Sequence, residues 1–136
     1  MPRTPKVLLV DDDVGFLQAN SLLLAAAGYE VHTAQDGRAG LAAAREQRPD
    51  VVLIDVMMTR PDEGFALARA IRADDRLADT RLLIVTAAGE RYQMLFEPDE
   101  QWLPVDKVIE KPTSGDELVA EVSSILDSRE RAGGPP

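Results

Sequence analysis

The sequence predicts an α/β protein in which a doubly wound, five-stranded parallel sheet is covered by helices on both faces. Short apolar runs alternate with helical patterns five times along the chain, and this alternation is typical of parallel sheets with crossover helices. The run 51–54 consists of four branched apolar residues, as in a strand buried on both faces. Sheets of this kind bind ligands at the carboxyl ends of their strands.

The first half of the chain contains three predicted strands and two predicted helices. In chain order they are a strand at Lys6–Val10, a helix at 16–27, a strand at 29–34, a helix that Asp36 caps and that ends near Gln47, and a strand at 51–56. Gly28 is a natural stop for the first helix. The strand at 29–34 alternates in polarity, which favours an edge position.

The second half continues the alternation less regularly. It contains a helix through Phe65 and Ile71, a strand at 81–85, a weaker strand at Lys107–Glu110 and a final helix with Leu118, Val122 and Ile125. Ser114 and Glu117 have the spacing of a capping box before that helix. The segment 90–106 predicts at most a short helix at 90–96. We expect one domain at residues 1–128, followed by a flexible tail or linker stub at 129–136.

Composition and charge exclude several functional classes. The chain has 136 residues, enough for one domain, and a net charge of -9 that argues against direct contact with nucleic acid or an anionic membrane. Its apolar runs are too short to span a membrane, and its first residues lack a secretory signal. The chain contains no cysteine, which excludes disulfides and thiolate sites. It contains one histidine, His32, which leaves no His-rich metal site. We therefore expect a cytoplasmic protein.

Polar side chains follow successive strands of the predicted sheet. They are Asp11, Asp12 and Asp13 after the first strand, Asp55 at the end of the third, Thr86 after the fourth and Lys111 after the fifth. Each residue alone is equally typical of a loop, a cap or a turn. Together they predict a site, because the carboxyl ends of parallel strands meet at one edge.

The order of these residues resembles the receiver domain of response regulators in two-component signalling, of the chemotaxis-regulator type. The resemblance covers roughly residues 5–128 and implies a flavodoxin-like three-layer sandwich with strand order 2-1-3-4-5. The matching motifs are Val10-Asp11-Asp12 for the acidic pair, Asp55 for the phosphoacceptor, Thr86-Ala87 for the hydroxyl residue with its small neighbour, and Lys111-Pro112 for the basic residue.

This resemblance implies a magnesium site. Asp12, Asp55 and the backbone carbonyl of Met57 would ligate Mg²⁺ directly, and Asp11 would act through water. The ion would relieve the repulsion among the acids. Asp13 more readily caps the first helix than binds metal, because Asp is a preferred N-cap residue.

The resemblance also implies a phosphorylation switch. Asp55 would accept a phosphoryl group from the phosphohistidine of a sensor histidine kinase or phosphotransfer protein, while Thr86 and Lys111 contact phosphoryl oxygens. The domain would catalyse only its own phosphorylation, so we do not expect an enzyme with an external substrate. It would then signal to an output protein partner, and a homodimer is compatible with this role.

Departures from the family pattern keep a second interpretation open. The loop after Met58 carries one extra residue, and Val108 stands where many receivers have an aromatic side chain. The chain could therefore be a degenerate receiver that binds a partner without phosphorylation. An aspartate-nucleophile phosphatase is disfavoured by Met57, where that class has a second Asp. A flavin-binding relative is disfavoured because three acids, rather than a phosphate loop, follow the first strand.

Overall fold

A computed structural model describes residues 4–55, 63–86, 105–110 and 115–133, and its centre is a five-stranded parallel sheet. The strands are β1 (Lys6–Val10), β2 (Glu30–Ala34), β3 (Val51–Asp55), β4 (Arg81–Thr86) and β5 (Lys107–Glu110). Their spatial order is β2-β1-β3-β4-β5, and every neighbouring pair is parallel. The predicted α/β class and the strand order 2-1-3-4-5 are confirmed, as is the edge position of β2.

Helices cover both faces of the sheet. In the described residues they are α1 (Val14–Ala26), α2 (Gly37–Gln47), α3 (Glu63–Ala73) and α4 (Gly115–Gly133), with a short 3₁₀ helix (Asp75–Leu77) after α3. Successive residues of a strand point to opposite faces. Val7 and Leu9 therefore join the core beneath α1 and α4, whereas Leu8 and Val10 join the core beneath α2 and α3.

An aspartate caps the N-terminus of each of the first two helices, as the sequence predicts. Oδ1 of Asp13 accepts a hydrogen bond of 3.1 Å from the N–H of Phe16, and Oδ1 of Asp36 accepts one of 2.7 Å from the N–H of Ala39. Each bond satisfies a backbone donor that lacks a partner within its helix. Gly28, with φ of 102°, follows α1 in a left-handed conformation that glycine adopts without strain.

The last helix continues beyond the predicted end of the domain. α4 extends to Gly133, past residue 128, where we expected a tail to begin. The residues after 128 include Arg, Glu and Ala, which favour helix, and the next glycine and proline come only at the end of this stretch. The division of the chain at residue 128 stays a prediction. The predicted short helix at 90–96 lies outside the described residues.

α1 has an unusual surface for such an acidic chain. None of its residues is charged, although 29% of the chain is. Within the described ranges, the exposed large hydrophobic side chains are all on this helix, with Leu22 the most accessible at 74%. No helix in these ranges is long and apolar enough to cross a membrane.

Candidate functional site

Three aspartates meet where β1 and β3 end. Val10 pairs with Ile54 across the sheet, so the next residues along each strand, Asp11 and Asp55, are neighbours. Carboxylate oxygens of Asp11, Asp12 and Asp55 all lie within 4.8 Å of one another. Asp11 and Asp55 are buried, with exposures of 1% and 5%, whereas Asp12 is exposed. The cluster therefore has a buried floor and one side open to solvent.

Two hydrogen bonds donated by backbone N–H groups stabilise the turn that carries Asp11 and Asp12. The N–H of Asp11 donates to the carbonyl of Ala34 at 3.1 Å, which ties the turn to the end of β2. The N–H of Asp13 donates to Oδ1 of Asp11 at 2.9 Å, which orients that carboxylate. The Asp13 side chain itself points to the start of α1. Asp13 is thus the cap of α1, and the metal-ligand alternative for it is disfavoured.

The chemistry of the cluster fits a hard divalent cation. Its three side chains offer only oxygen ligands, which Mg²⁺ prefers, and the exposed side leaves space for the waters that Mg²⁺ retains. Asp11, Asp12 and Asp55 are the residues that would hold the ion, because their carboxylate oxygens lie close together. Its charge would lower the repulsion among them.

Of the other predicted site residues, the structure describes Thr86 but not Met57 or Lys111. Thr86 is the last residue of β4, and its backbone pairs with Glu110 of β5. The residue before it, Val85, pairs with Asp55 of β3. Thr86 therefore lies at the same sheet edge as the acids. Lys111 and Met57 lie outside the described residues, so their predicted contacts with phosphoryl and metal stay predictions.

A further residue near this edge was missed by sequence reasoning. Oε2 of Glu63, the first residue of α3, accepts a hydrogen bond of 2.6 Å from the N–H of Gly37, the first residue of α2. An acidic residue in the first turn of a helix is normally assigned to that helix's own N-terminus. A glycine after the Asp36 cap is a weak signal for close approach, and it does not identify the partner.

Comparison with known proteins agrees with the fold and the acidic cluster. The family described as "Response regulator receiver domain" matches residues 7–123 of this chain. Among solved structures, the chemotaxis response regulator CheY4 of Vibrio cholerae is similar with a TM-score of 0.79 and 31% identity, covering 90% of this chain and 99% of that chain.

Curated relatives are longer than this chain. The DNA-binding dual master transcriptional regulator RpaA of Synechocystis sp. is 33% identical over 127 residues, which are 93% of this chain and 51% of the relative. The transcriptional regulatory protein AfsQ1 of Streptomyces coelicolor is 34% identical over 127 residues, 93% of this chain and 53% of the relative. The chain thus spans about half the length of these relatives. From its family match, its fold and its acidic cluster, the chain belongs to the response regulator receiver domain family of two-component signalling.

Proposed function

We propose that this domain accepts a phosphoryl group on Asp55 from the phosphohistidine of a sensor histidine kinase or phosphotransfer protein, in a Mg²⁺-dependent reaction. The observation that carries the proposal is the position of the Asp55 carboxylate at the sheet edge, within 4.8 Å of those of Asp11 and Asp12. The nucleophile and the metal-binding acids thus occupy one site. The domain would catalyse only its own phosphorylation.

The chemistry follows from this arrangement. A carboxylate oxygen of Asp55 attacks phosphorus in line, an O–P bond forms, and the P–N bond to the donor imidazole breaks with its electron pair going to nitrogen. When bound, Mg²⁺ neutralises negative charge on the carboxylates and on the phosphoryl oxygens. The Asp55 side chain is held in position by the pairing of β3 with β1 and β4, which favours an in-line approach. In this proposal Thr86 and Lys111 contact the phosphoryl oxygens.

Output passes from the phosphorylated domain to a protein partner or to a further domain. RpaA is described as DNA-binding, but this chain covers only half of it, and its own charge of -9 does not favour a nucleic-acid contact. We therefore propose a conformational switch that acts through protein contacts. The absence of cysteine from the sequence fits a cytoplasmic location, which we propose for this domain.

Intact mass spectrometry tests the proposal. The purified chain is incubated with acetyl phosphate and Mg²⁺, beside Asp55→Asn and beside a sample with excess chelator. The expected result is an adduct of one phosphoryl group on the wild-type chain with Mg²⁺, and none on either control. Folded wild-type protein that takes up no phosphoryl group would contradict the proposal. It would favour the degenerate receiver that binds a partner without phosphorylation, in line with Val108 in place of the aromatic residue.

A further inference from the structure

An open groove runs between α1 and β2 at the edge of the sheet. Its volume is about 700 Å³, and its walls are mainly apolar. Val14, Leu22 and Ala25 of α1 line one side, and Val31 and Thr33 of β2 line the other. Leu22 is also the most exposed large hydrophobic residue in the described ranges. The groove therefore leaves apolar surface in contact with water, and a docked chain would remove that surface from water.

The β2 strand leaves one of its edges unpaired. In the described part of the chain, β2 pairs with β1 alone. The N–H of Glu30 donates to the carbonyl of Pro5, so the backbone groups of Glu30 point towards β1. Successive residues of a strand direct these groups to alternate sides, so the N–H and C=O of Val31 and Thr33 point away from β1. This edge can therefore pair with a further strand beside the groove.

Charge favours a second copy of this chain as the occupant of the groove. Each copy has a net charge of -9, so two copies repel one another across most of their surfaces. α1 contains no charged residue, and a contact along this helix therefore does not bring like charges together. A basic partner would instead be attracted to an acidic surface, which α1 does not offer.

We propose that the protein forms a symmetric dimer through the β2 edge and the α1 groove. A two-fold axis normal to the sheet makes the two β2 strands antiparallel and keeps both α1 helices on the same face. Val31 of each copy pairs with Thr33 of the partner subunit through backbone hydrogen bonds. The two grooves then join, and Leu22 of each copy is covered by α1 of the other. The contact does not depend on phosphorylation.

Sedimentation velocity tests the proposal on the unphosphorylated chain. Loading concentrations from about 5 to 500 µM cover the weak dissociation constants that are typical of small interfaces, and the sedimentation coefficient should rise from monomer to dimer across them. Raising NaCl from about 0.05 to 0.5 M should tighten the dimer, because salt screens the repulsion between two acidic copies. A monomer at every concentration would overturn the proposal. A dimer that salt weakens would be held by ion pairs, and this result would also overturn it.

Leu22→Glu and Ala19→Glu form a matched pair of variants. Each adds one carboxylate at an exposed position of α1, but only Leu22 lines the groove. Leu22→Glu should raise the dissociation constant of the dimer at least about tenfold, because two-fold symmetry brings the new charge into the contact twice. Ala19→Glu should stay within about threefold of wild type. Equal weakening by the two substitutions would contradict the assignment of the contact to the groove.

Thr33→Pro tests the backbone pairing separately. The substitution removes an N–H that points away from β1, so it leaves the pairing of β2 with β1 intact. It should raise the dissociation constant at least about tenfold, whereas Thr33→Val keeps the N–H and should stay within about threefold of wild type. An unchanged dimer in folded Thr33→Pro would contradict the pairing. Far-UV circular dichroism verifies the fold of each variant.

Amide hydrogen exchange on the wild-type chain reads the same contact if Thr33→Pro does not fold. The N–H groups of Val31 and Thr33 should exchange more slowly at the highest protein concentration than at the lowest, because pairing with the partner subunit protects them. Exchange at these two positions that does not depend on concentration would overturn the proposal.

Discussion

Asp106 and Leu82 are joined by two hydrogen bonds of 2.8 Å. The N–H of Asp106 donates to the carbonyl of Leu82, and the N–H of Leu82 donates to Oδ2 of Asp106. The guanidinium groups of Arg72 and Arg81 each lie 3.3 Å from the same carboxylate. Leu82 is fully buried in β4, and Asp106 directly precedes β5. The pair therefore sets the position at which β5 joins the sheet.

Removal of this carboxylate should destabilise the domain. Asp106→Ala leaves the Leu82 N–H without its side-chain acceptor and two arginines without their shared partner. We expect the free energy of unfolding to fall by about 1–3 kcal/mol, mostly from the lost hydrogen bond, because half-exposed ion pairs contribute little. Urea unfolding measures the change. The exposed Asp79→Ala is the control and should change stability by less than about 0.5 kcal/mol; an equal effect of the two substitutions would contradict the assignment.

A pH-dependent contribution to stability is expected from Asp74. Hydrogen bonds from the Arg76 guanidinium and from the Arg76 backbone N–H hold the pKa of Asp74 well below its ordinary value of 3.8, and Arg45 adds to the effect. As pH falls, the unfolded chain therefore binds the proton first. The stabilisation is present above the ordinary pKa and is lost as pH falls below it towards the folded value.

Asp74→Asn tests this dependence, because the amide keeps an acceptor but carries no charge. The difference in urea midpoint between wild type and variant should be larger at pH 7 than at pH 3. The same substitution at the exposed Asp79 should give a small difference at both pH values. A wild-type advantage that is equal at pH 7 and pH 3 would show that the ionised Asp74 carboxylate does not stabilise the fold.

Asp13 should affect stability without affecting phosphorylation. Its carboxylate accepts the Phe16 N–H at 3.1 Å, so Asp13→Ala should lower the free energy of unfolding by about 1 kcal/mol. Asp13→Ser keeps a capping oxygen and should recover most of that loss. Both variants should still form the Mg²⁺-dependent adduct in intact mass spectrometry, whereas Asp12→Ala should not at the same Mg²⁺ concentration. Loss of the adduct in folded Asp13→Ser would identify Asp13 as part of the metal site.

Local features of this fold are predictable from the sequence. The strands at Lys6–Val10 and Lys107–Glu110 have the predicted bounds, because short apolar runs next to charged residues define where burial begins and ends. The caps at Asp13 and Asp36 are confirmed, since an N-cap depends on residues only two or three positions away. The meeting of Asp11 and Asp55 follows from the parallel sheet, whose strands end at one edge.

Features that depend on packing between distant elements were not predictable in this way. Apolar strands do not specify their neighbours, so the strand order came from the family resemblance rather than from periodicity. The bond between Glu63 and Gly37 joins residues 26 positions apart and exists because α2 and α3 approach closely at Gly40. The sequence pattern assigned no end to α4, which extends to Gly133, and the domain boundary at residue 128 stays a prediction.

The central position of β1 has a consequence for how the chain folds. β1 lies between β2 and β3, and its start is tied to Asp50, whose Oδ2 accepts a 2.7 Å hydrogen bond from the Lys6 N–H. One edge of this apolar strand therefore has no partner until β3 has left the ribosome. Pairings between such distant residues form slowly. Until they form, the unpaired backbone N–H and C=O groups of β1 can pair with strands of other chains. Early in synthesis, the nascent domain is thus most vulnerable to aggregation at its first strand.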